Sequence, residues 1–184
     1  STRRRAFLSH FYPQHTAVEM RGNLQTRLEK LKNGDCDAML LAYAGVHRME
    51  MESYITQHLS LDQFVPAVGQ GSVAIQCAVS LDASIKALVR KACNHPATEA
   101  ALLAERHLLA HLEGGCSVPV YGHAQLVGDK LSLHAGVLSL DGIENIFHSA
   151  AGIDPTLLGK EVAMELIHLG AHQLLRKIRQ QLGS

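Results

Sequence analysis

Eight of the 17 Lys and Arg residues fall within positions 1–48: Arg3, Arg4, Arg5, Arg21, Arg27, Lys30, Lys32 and Arg48. Only Glu19, Glu29, Asp35 and Asp37 oppose them there, so this stretch carries a net charge of +4. Six of the eight are Arg, whose planar fork can grip a carboxylate or phosphate through two parallel hydrogen bonds. Their placement coincides with helix starts. Ser1 or Thr2 followed by Arg3-Arg4-Arg5 reads as a cap and a first turn. Arg21-Gly22-Asn23 leads into a second helix, with Arg27 one turn further on, and Arg48 falls on a third, short one. Free N–H groups and a partial positive charge make a helix N-terminus unfavourable for Arg unless an anion is present. The pattern points to an anionic ligand, against the plainer reading of a solvated basic face, and spacing alone leaves carboxylate and phosphate both open.

The other reactive side chains divide clearly. Cys36, Cys77 and Cys93 fall in or near apolar segments and read as small core residues. Cys116 follows Gly114-Gly115 in a loop after a helix, where a thiolate could serve as nucleophile or attachment point. The pairs His107/His111 and His168/His172 have helical i,i+4 spacing. Neither has a third ligand nearby in sequence, so they read as amphipathic surface histidines, and no metal site is expected.

Several elements must position these groups. The opening segment is a helix with no strand before it. Asn23 caps a helix over 24–33, with Leu24, Leu28 and Leu31 on one face and Gly34 as its stop. Ala38-Met39-Leu40-Leu41-Ala42 is a short continuous apolar run that suits a strand buried on both faces, and Ala44-Gly45-Val46 turns into a short helix. Val65-Pro66-Ala67-Val68-Gly69-Gln70-Gly71 reads as a hinge or close-approach loop. A strand is expected over 72–78 and a helix over 82–93, broken by Asn94-His95-Pro96. Thr98 caps a helix over 99–113, with Ala101, Leu102, Leu108, Leu109 and Leu112 apolar. Segments 118–127, 130–139 and 145–150 alternate and are separated by Gly128-Asp129 and Asp141-Gly142, which predicts a three-stranded antiparallel sheet. Asp154-Pro155 opens a helix to about 169, and a last helix covers 171–182. The front reads as α/β and the back as a small α+β domain.

Composition bounds the function. At 184 residues the chain is one domain or two small ones, with 47% apolar residues and a net charge of zero. A globally basic nucleic-acid binder is disfavoured, and four Tyr and four Phe are few for stacking on bases. Four Cys with no CxxC make neither a disulfide framework nor a zinc ribbon. With no apolar run of membrane-spanning length and no leader-like start, the expectation is a cytoplasmic protein that engages neither membrane nor nucleic acid.

Taken together, Ser1-Thr2-Arg3-Arg4, Arg21-Gly22-Asn23 with Thr26-Arg27-Leu28, Asp37-Ala38 with Leu41-Ala42 and Ala44-Gly45, and Arg48 resemble the hydroxymethylbilane synthase (porphobilinogen deaminase) family. So do Pro66-Ala67-Val68-Gly69-Gln70-Gly71, Glu105-Arg106 and Leu112-Glu113-Gly114-Gly115-Cys116-Ser117-Val118-Pro119. The blocks follow in order over nearly the whole chain. The resemblance implies a transferase of tetrapyrrole (haem) biosynthesis that joins four porphobilinogen molecules into hydroxymethylbilane, releasing ammonia. It implies a dipyrromethane cofactor held by a thioether to Cys116. It also implies that Ser1, Arg3, Arg4, Arg21, Arg27 and Arg48 bind cofactor carboxylates, with Arg21, Arg27 and Arg48 binding those of the substrate as well. A growing oligopyrrole accumulates negative charge, which Arg forks near helix starts are suited to hold.

In the family a further domain precedes the first of these blocks and carries the catalytic Asp. The expectation is that this chain lacks that Asp and has no catalytic residue of its own, so that alone it is inactive. The resemblance divides it into an incomplete periplasmic-binding-protein-like α/β unit (1–65), a hinge and crossover segment belonging to the absent domain (66–93), and a C-terminal α+β domain carrying the cofactor Cys (94–184). Porphobilinogen and its oligomers, the absent domain as a separate chain, or a second copy are the expected partners. The alternative is a non-catalytic module derived from the family that binds polyanions or a partner chain. Segment 66–93 is expected to be loosely held, since the sheet it belongs to would be mostly missing.

Overall fold

The computed structural model describes residues 1–112 and 118–183. The elements run α1 (Thr2–Phe11), α2 (Leu24–Lys32), α3 (Tyr43–Arg48), a 3₁₀ turn (Glu52–Tyr54), α4 (Ala83–Cys93), α5 (Pro96–His111), β1 (Val120–Val127), β2 (Lys130–Leu138), β3 (Asn145–Gly152), α6 (Pro155–His168) and α7 (Ala171–Leu182). The three strands form one antiparallel sheet in the order β1-β2-β3. Val127 pairs with Lys130 across the Gly128-Asp129 turn, where Gly128 takes the positive φ of +61° that this tight connection needs.

The main core lies on one face of the sheet. Leu131, Leu133, Ala135 and Val137 alternate inward along β2. Against them pack Ala104, Leu108 and Leu112 from the α5 region, Leu158, Val162, Ala163 and Leu166 from α6, and Leu174, Leu175 and Ile178 from α7. The spacing within each helix is the i, i+3, i+4 stripe of a half-buried helix. Asp154 caps α6 by accepting from the Thr156 and Leu157 amides at 2.8 and 2.9 Å.

A second cluster covers part of the opposite face. Tyr121 on β1 stands opposite Gly136 on β2, and its ring fills the space that a side chain at Gly136 would need. Phe7 of α1 packs on Tyr121 with ring centroids 5.1 Å apart, and Ala6, Phe64, Val65 and Leu138 complete the cluster. The far end of α1 is tied by His10, whose Nδ1 lies 2.6 Å from the Gly142 carbonyl oxygen. The basic front of the chain is thereby seated on the C-terminal sheet.

Several expectations need correction. Residues 38–42 are not a strand. A strand needs a ladder partner, and no described segment offers one; the Leu40 carbonyl instead accepts from the Arg4 guanidinium. Residues 72–78 also form no strand, and Val73 and Val79 are 93% and 97% exposed. Helix α4 buries none of its residues. The start of the hinge behaves differently: the Gly122 amide donates to the Pro66 carbonyl at 3.1 Å, so 66–70 is docked, while 72–79 is largely exposed and α4 meets α5 through Arg90, whose Nη2 donates to both Glu99 carboxylate oxygens at 2.6 and 2.7 Å. The N-cap of α5 is His95, with Pro96 at the first helical position, rather than Thr98. The three described cysteines are not core residues: Cys36 and Cys77 are half-buried and Cys93 is exposed.

Candidate anion-binding site

The α2 start is built by its local sequence. Asn23 Oδ1 accepts from the Thr26 amide and hydroxyl, both at 2.9 Å. Gly22 holds φ +121°, and a Cβ there would sit 2.9 Å from Thr26 Cγ2, so the turn feeding the helix requires glycine on both counts. Arg27 folds back, and its Nε donates to the Gly22 carbonyl at 2.8 Å. The first turn of α2 contains no acidic residue to satisfy its N-terminal charge.

Arg4 arrives from α1. Ser1 caps that helix, its Oγ accepting from the Arg4 amide at 3.4 Å. The Arg4 Nη1 donates to the Leu40 carbonyl at 3.1 Å, which holds the side chain across the 38–42 segment. The result is a pocket of about 290 Å³ whose wall includes Arg4, Gly22, Asn23, Arg27, Ala42 and Gly45. Among the described residues two guanidinium groups line it and no carboxylate does. Its volume suits the arm of a ligand, one carboxylate or phosphate with a few atoms behind it. Each Arg commits one donor to a backbone carbonyl and has others to offer an anion.

The remaining candidates lie elsewhere. Arg3 is buried: its Nη1 donates to the Val65 carbonyl and its Nη2 to Gln70 Oε1 at 2.8 Å. Burial first, and the neighbouring Arg4 charge second, bring its pKa down to about 10, still high enough to stay charged at neutral pH. Arg21 sits beside the pocket in sequence but pairs with Glu19 at 3.2 Å, both side chains well exposed. Such a pair is worth roughly 0–1 kcal/mol and is readily exchanged for another anion. Arg48 is exposed on the last turn of α3, with no hydrogen bond or ion pair among the described residues. Cys116 lies outside the described residues. Among those described, no group of three or more His, Cys, Asp or Glu could hold a metal, and no helix is long and apolar enough to cross a membrane.

Two residues that sequence reasoning did not single out as site residues stand next to this arrangement. Gln70 Oε1 receives Arg3 and also the Ala67 amide at 3.3 Å. Glu105, 5% exposed, accepts from the Gly69 amide at 2.7 Å and the Ala124 amide at 2.8 Å. Its signal was present: with Ala104 and Leu108 it shares the buried side of α5, and a carboxylate there must have donors waiting.

Comparison with known proteins places the chain in a family. A family model described as porphobilinogen deaminase, dipyromethane cofactor binding domain, matches residues 1–86, and the porphobilinogen deaminase C-terminal domain matches residues 98–168. The porphobilinogen deaminase of Desulfosudis oleivorans is 46% identical over 183 residues, covering 98% of this chain and 59% of that protein. That of Cytophaga hutchinsonii is 48% identical over 187 residues, covering 100% and 59%, and that of Francisella tularensis subsp. tularensis 41% over 175 residues, covering 95% and 58%. The chain spans about three fifths of the length of these curated relatives. With two models of one family matching most of its residues and relatives aligned along nearly all of it, the chain belongs to the porphobilinogen deaminase family.

Proposed function

We propose that the chain carries the carboxylate-binding cleft and the cofactor anchor of an enzyme that joins four porphobilinogen molecules head to tail into hydroxymethylbilane. Each coupling forms one carbon–carbon bond and breaks one carbon–nitrogen bond; the pyrrole α-position loses a proton and ammonia leaves. The observation that carries this reading is the pocket lined by Arg4 and Arg27 at the start of α2, with no carboxylate among its described lining residues. Porphobilinogen bears an acetate and a propionate arm, and a pocket of about 290 Å³ with two guanidinium groups suits one such arm. Arg4 and Arg27 bind it. Arg21 and Arg48, exposed and weakly committed or uncommitted, take further carboxylates as the oligomer lengthens. Ser1 and Arg3 set the α1 turn from which Arg4 projects.

The pocket residues also fit the carboxylates of a dipyrromethane, with Cys116 as the point of attachment. When bound, that group supplies the pyrrole carbon from which the product grows. In this reading residues 1–65 are the anion-binding unit, in a periplasmic-binding-protein-like arrangement when whole, and 94–184 the unit bearing the cysteine. Residues 66–93 are a crossover, docked within this chain at 66–70 and pairing through 72–78 with polypeptide beyond it. The unpaired 72–78 backbone and the exposed Val73 and Val79 support that assignment. Three cysteines without disulfides among the described residues support a reducing, cytoplasmic setting.

Calorimetric titration of porphobilinogen into the full chain tests the pocket. Arg4→Ala and Arg27→Ala should each weaken binding about tenfold or more, as for loss of a charge-assisted hydrogen bond. Arg27→Lys should not restore it fully, because a point charge does not replace a fork. Unchanged affinity in the Arg4→Ala/Arg27→Ala double variant would refute the assignment. Adding a polypeptide that covers the rest of the relatives' length should yield porphobilinogen consumption; a non-catalytic module would show none.

A further inference from the structure

We propose that Gln70 is a positioning residue that couples the pocket to helix α5, with Glu105 as its anchor. The inference rests on the pocket reading above and extends it to residues that never touch the ligand. Arg3 and Arg4 are consecutive on α1, so their side chains leave the helix about 100° apart. Arg4 borders the pocket, while Arg3 enters the protein and ends on the Val65 carbonyl and Gln70 Oε1. The position of the first α1 turn, and therefore of the Arg4 guanidinium, is fixed by where loop 65–71 sits.

That loop is fixed in turn by Glu105. One carboxylate oxygen receives Gly69 N and the other Ala124 N of β1, so the loop, α5 and the sheet meet at a single buried side chain. Gly69 holds φ +72°, the left-handed conformation that presents its amide there. His123, whose Nδ1 is 3.9 Å from Glu105 Oε1, is the charged or titratable neighbour the carboxylate has across β1. Gln70 then passes the loop's position outward, its one oxygen shared between Arg3 and the Ala67 amide. The route from α5 to the pocket is Glu105, Gly69, Gln70, Arg3, Arg4. Because α5 leads in sequence to the block containing Cys116, a ligand that grips Arg4 and a group carried at that cysteine act on the same connected elements. Coupling of this kind is reciprocal: whatever orders one end favours order at the other.

The test uses the full chain and the variants Gln70→Ala and Gln70→Glu. Gln70→Glu keeps an acceptor in place and offers Arg3 a charge, so it is the rescue variant. Two readings are taken: porphobilinogen affinity by calorimetry, and, without ligand, hydrogen exchange of the Arg5, Ala6 and Phe7 amides. Thermal melting reports whether the fold as a whole has changed. Gln70→Ala should weaken binding about tenfold and speed first-turn exchange by a similar factor with the melting temperature nearly unmoved. Gln70→Glu should return both readings toward the parent. Parent-like exchange in Gln70→Ala, or Gln70→Glu behaving no better than Gln70→Ala, overturns the proposal. If exchange responds as expected but the parent does not bind porphobilinogen, the pocket reading has failed while the route from α5 to α1 stands.

Discussion

Gly159 offers the sharpest test of how α5 is held. It lies on α6 where that helix crosses α5, and a Cβ built there would sit 2.3 Å from the Ala104 carbonyl oxygen and 3.0 Å from the Leu108 amide nitrogen. Both neighbours are helix backbone, which cannot swing aside as a side-chain end can. Gly159→Ala therefore sets two effects against each other. Alanine in a helix interior is favoured over glycine by about 1 kcal/mol. Forcing a methyl into a packed contact costs roughly 1–3 kcal/mol, and the upper end applies when the obstacle is backbone. The net expectation is a loss of about 2 kcal/mol, or roughly 4–8 °C in melting temperature for a chain of this size. Differential scanning calorimetry on parent and variant measures it. A melting temperature equal to or above the parent's would show that α5 and α6 separate freely, and the claim that Glu105 is held rigidly on α5 would lose its basis. A drop in melting temperature together with weaker porphobilinogen binding would tie helix spacing to the pocket.

Two further outcomes follow from the same packing. Amides of residues 72–79 should exchange at nearly unprotected rates while those in the middle of α5 are slowed by many orders of magnitude; equal protection in a monomer would contradict the unpaired state of that segment. Burial pulls the pKa of half-buried His134 below its ordinary value, with Asp62 opposing in part, while its Nδ1 lies 2.6 Å from Ser149 Oγ. A histidine held neutral stabilises the fold fully above about pH 6.5 and loses that contribution as pH falls below it. The stability difference between parent and His134→Gln should therefore shrink on acidification from pH 7.5 to 5.5, and a constant difference would refute the assignment.

What the sequence made legible was local. Asn23 and Asp154 announce their helices because a cap acts within three residues, and Gly128-Asp129 announces its hairpin because a tight turn tolerates few residue types. The apolar runs at 38–42 and 72–78 read as strands for the same local reasons, yet a strand exists only when a distant segment supplies its ladder, and none among the described residues does. The grouping of the arginines was half legible. The place of Arg4 and Arg27 in the opening turns of α1 and α2 could be read from spacing, whereas Arg48 falls on the last turn of α3, and which of Arg3 and Arg4 borders the pocket depends on what covers the other side of α1. That cover is Phe64, Val65 and Tyr121, residues far away in sequence.

Arg3 shows why the distinction matters. A buried guanidinium whose hydrogen-bond acceptors are a carbonyl and an amide oxygen gives little back for its desolvation, and similar side-chain volume in hydrocarbon would serve stability as well or better. Its worth lies in geometry: its Nη1 and Nη2 bond two separate points of the 65–71 loop, a constraint that an apolar contact would leave free to slide. Helix α1 is clamped again at His10 against the Gly142 carbonyl, and a Cβ at Gly142 would come within 2.7 Å of the Ala6 carbonyl oxygen. A helix tied at both ends and packed through Phe7 in the middle can present Arg4 at a constant place. A pocket proposed to hold a ligand carboxylate would need that constancy, because a mobile guanidinium would lose rotamer entropy on binding. The burial cost at Arg3 and the position of Arg4 are thus two sides of one arrangement, in which the first cation fixes the helix and the second, held by the Leu40 carbonyl, borders the pocket proposed to take the anion.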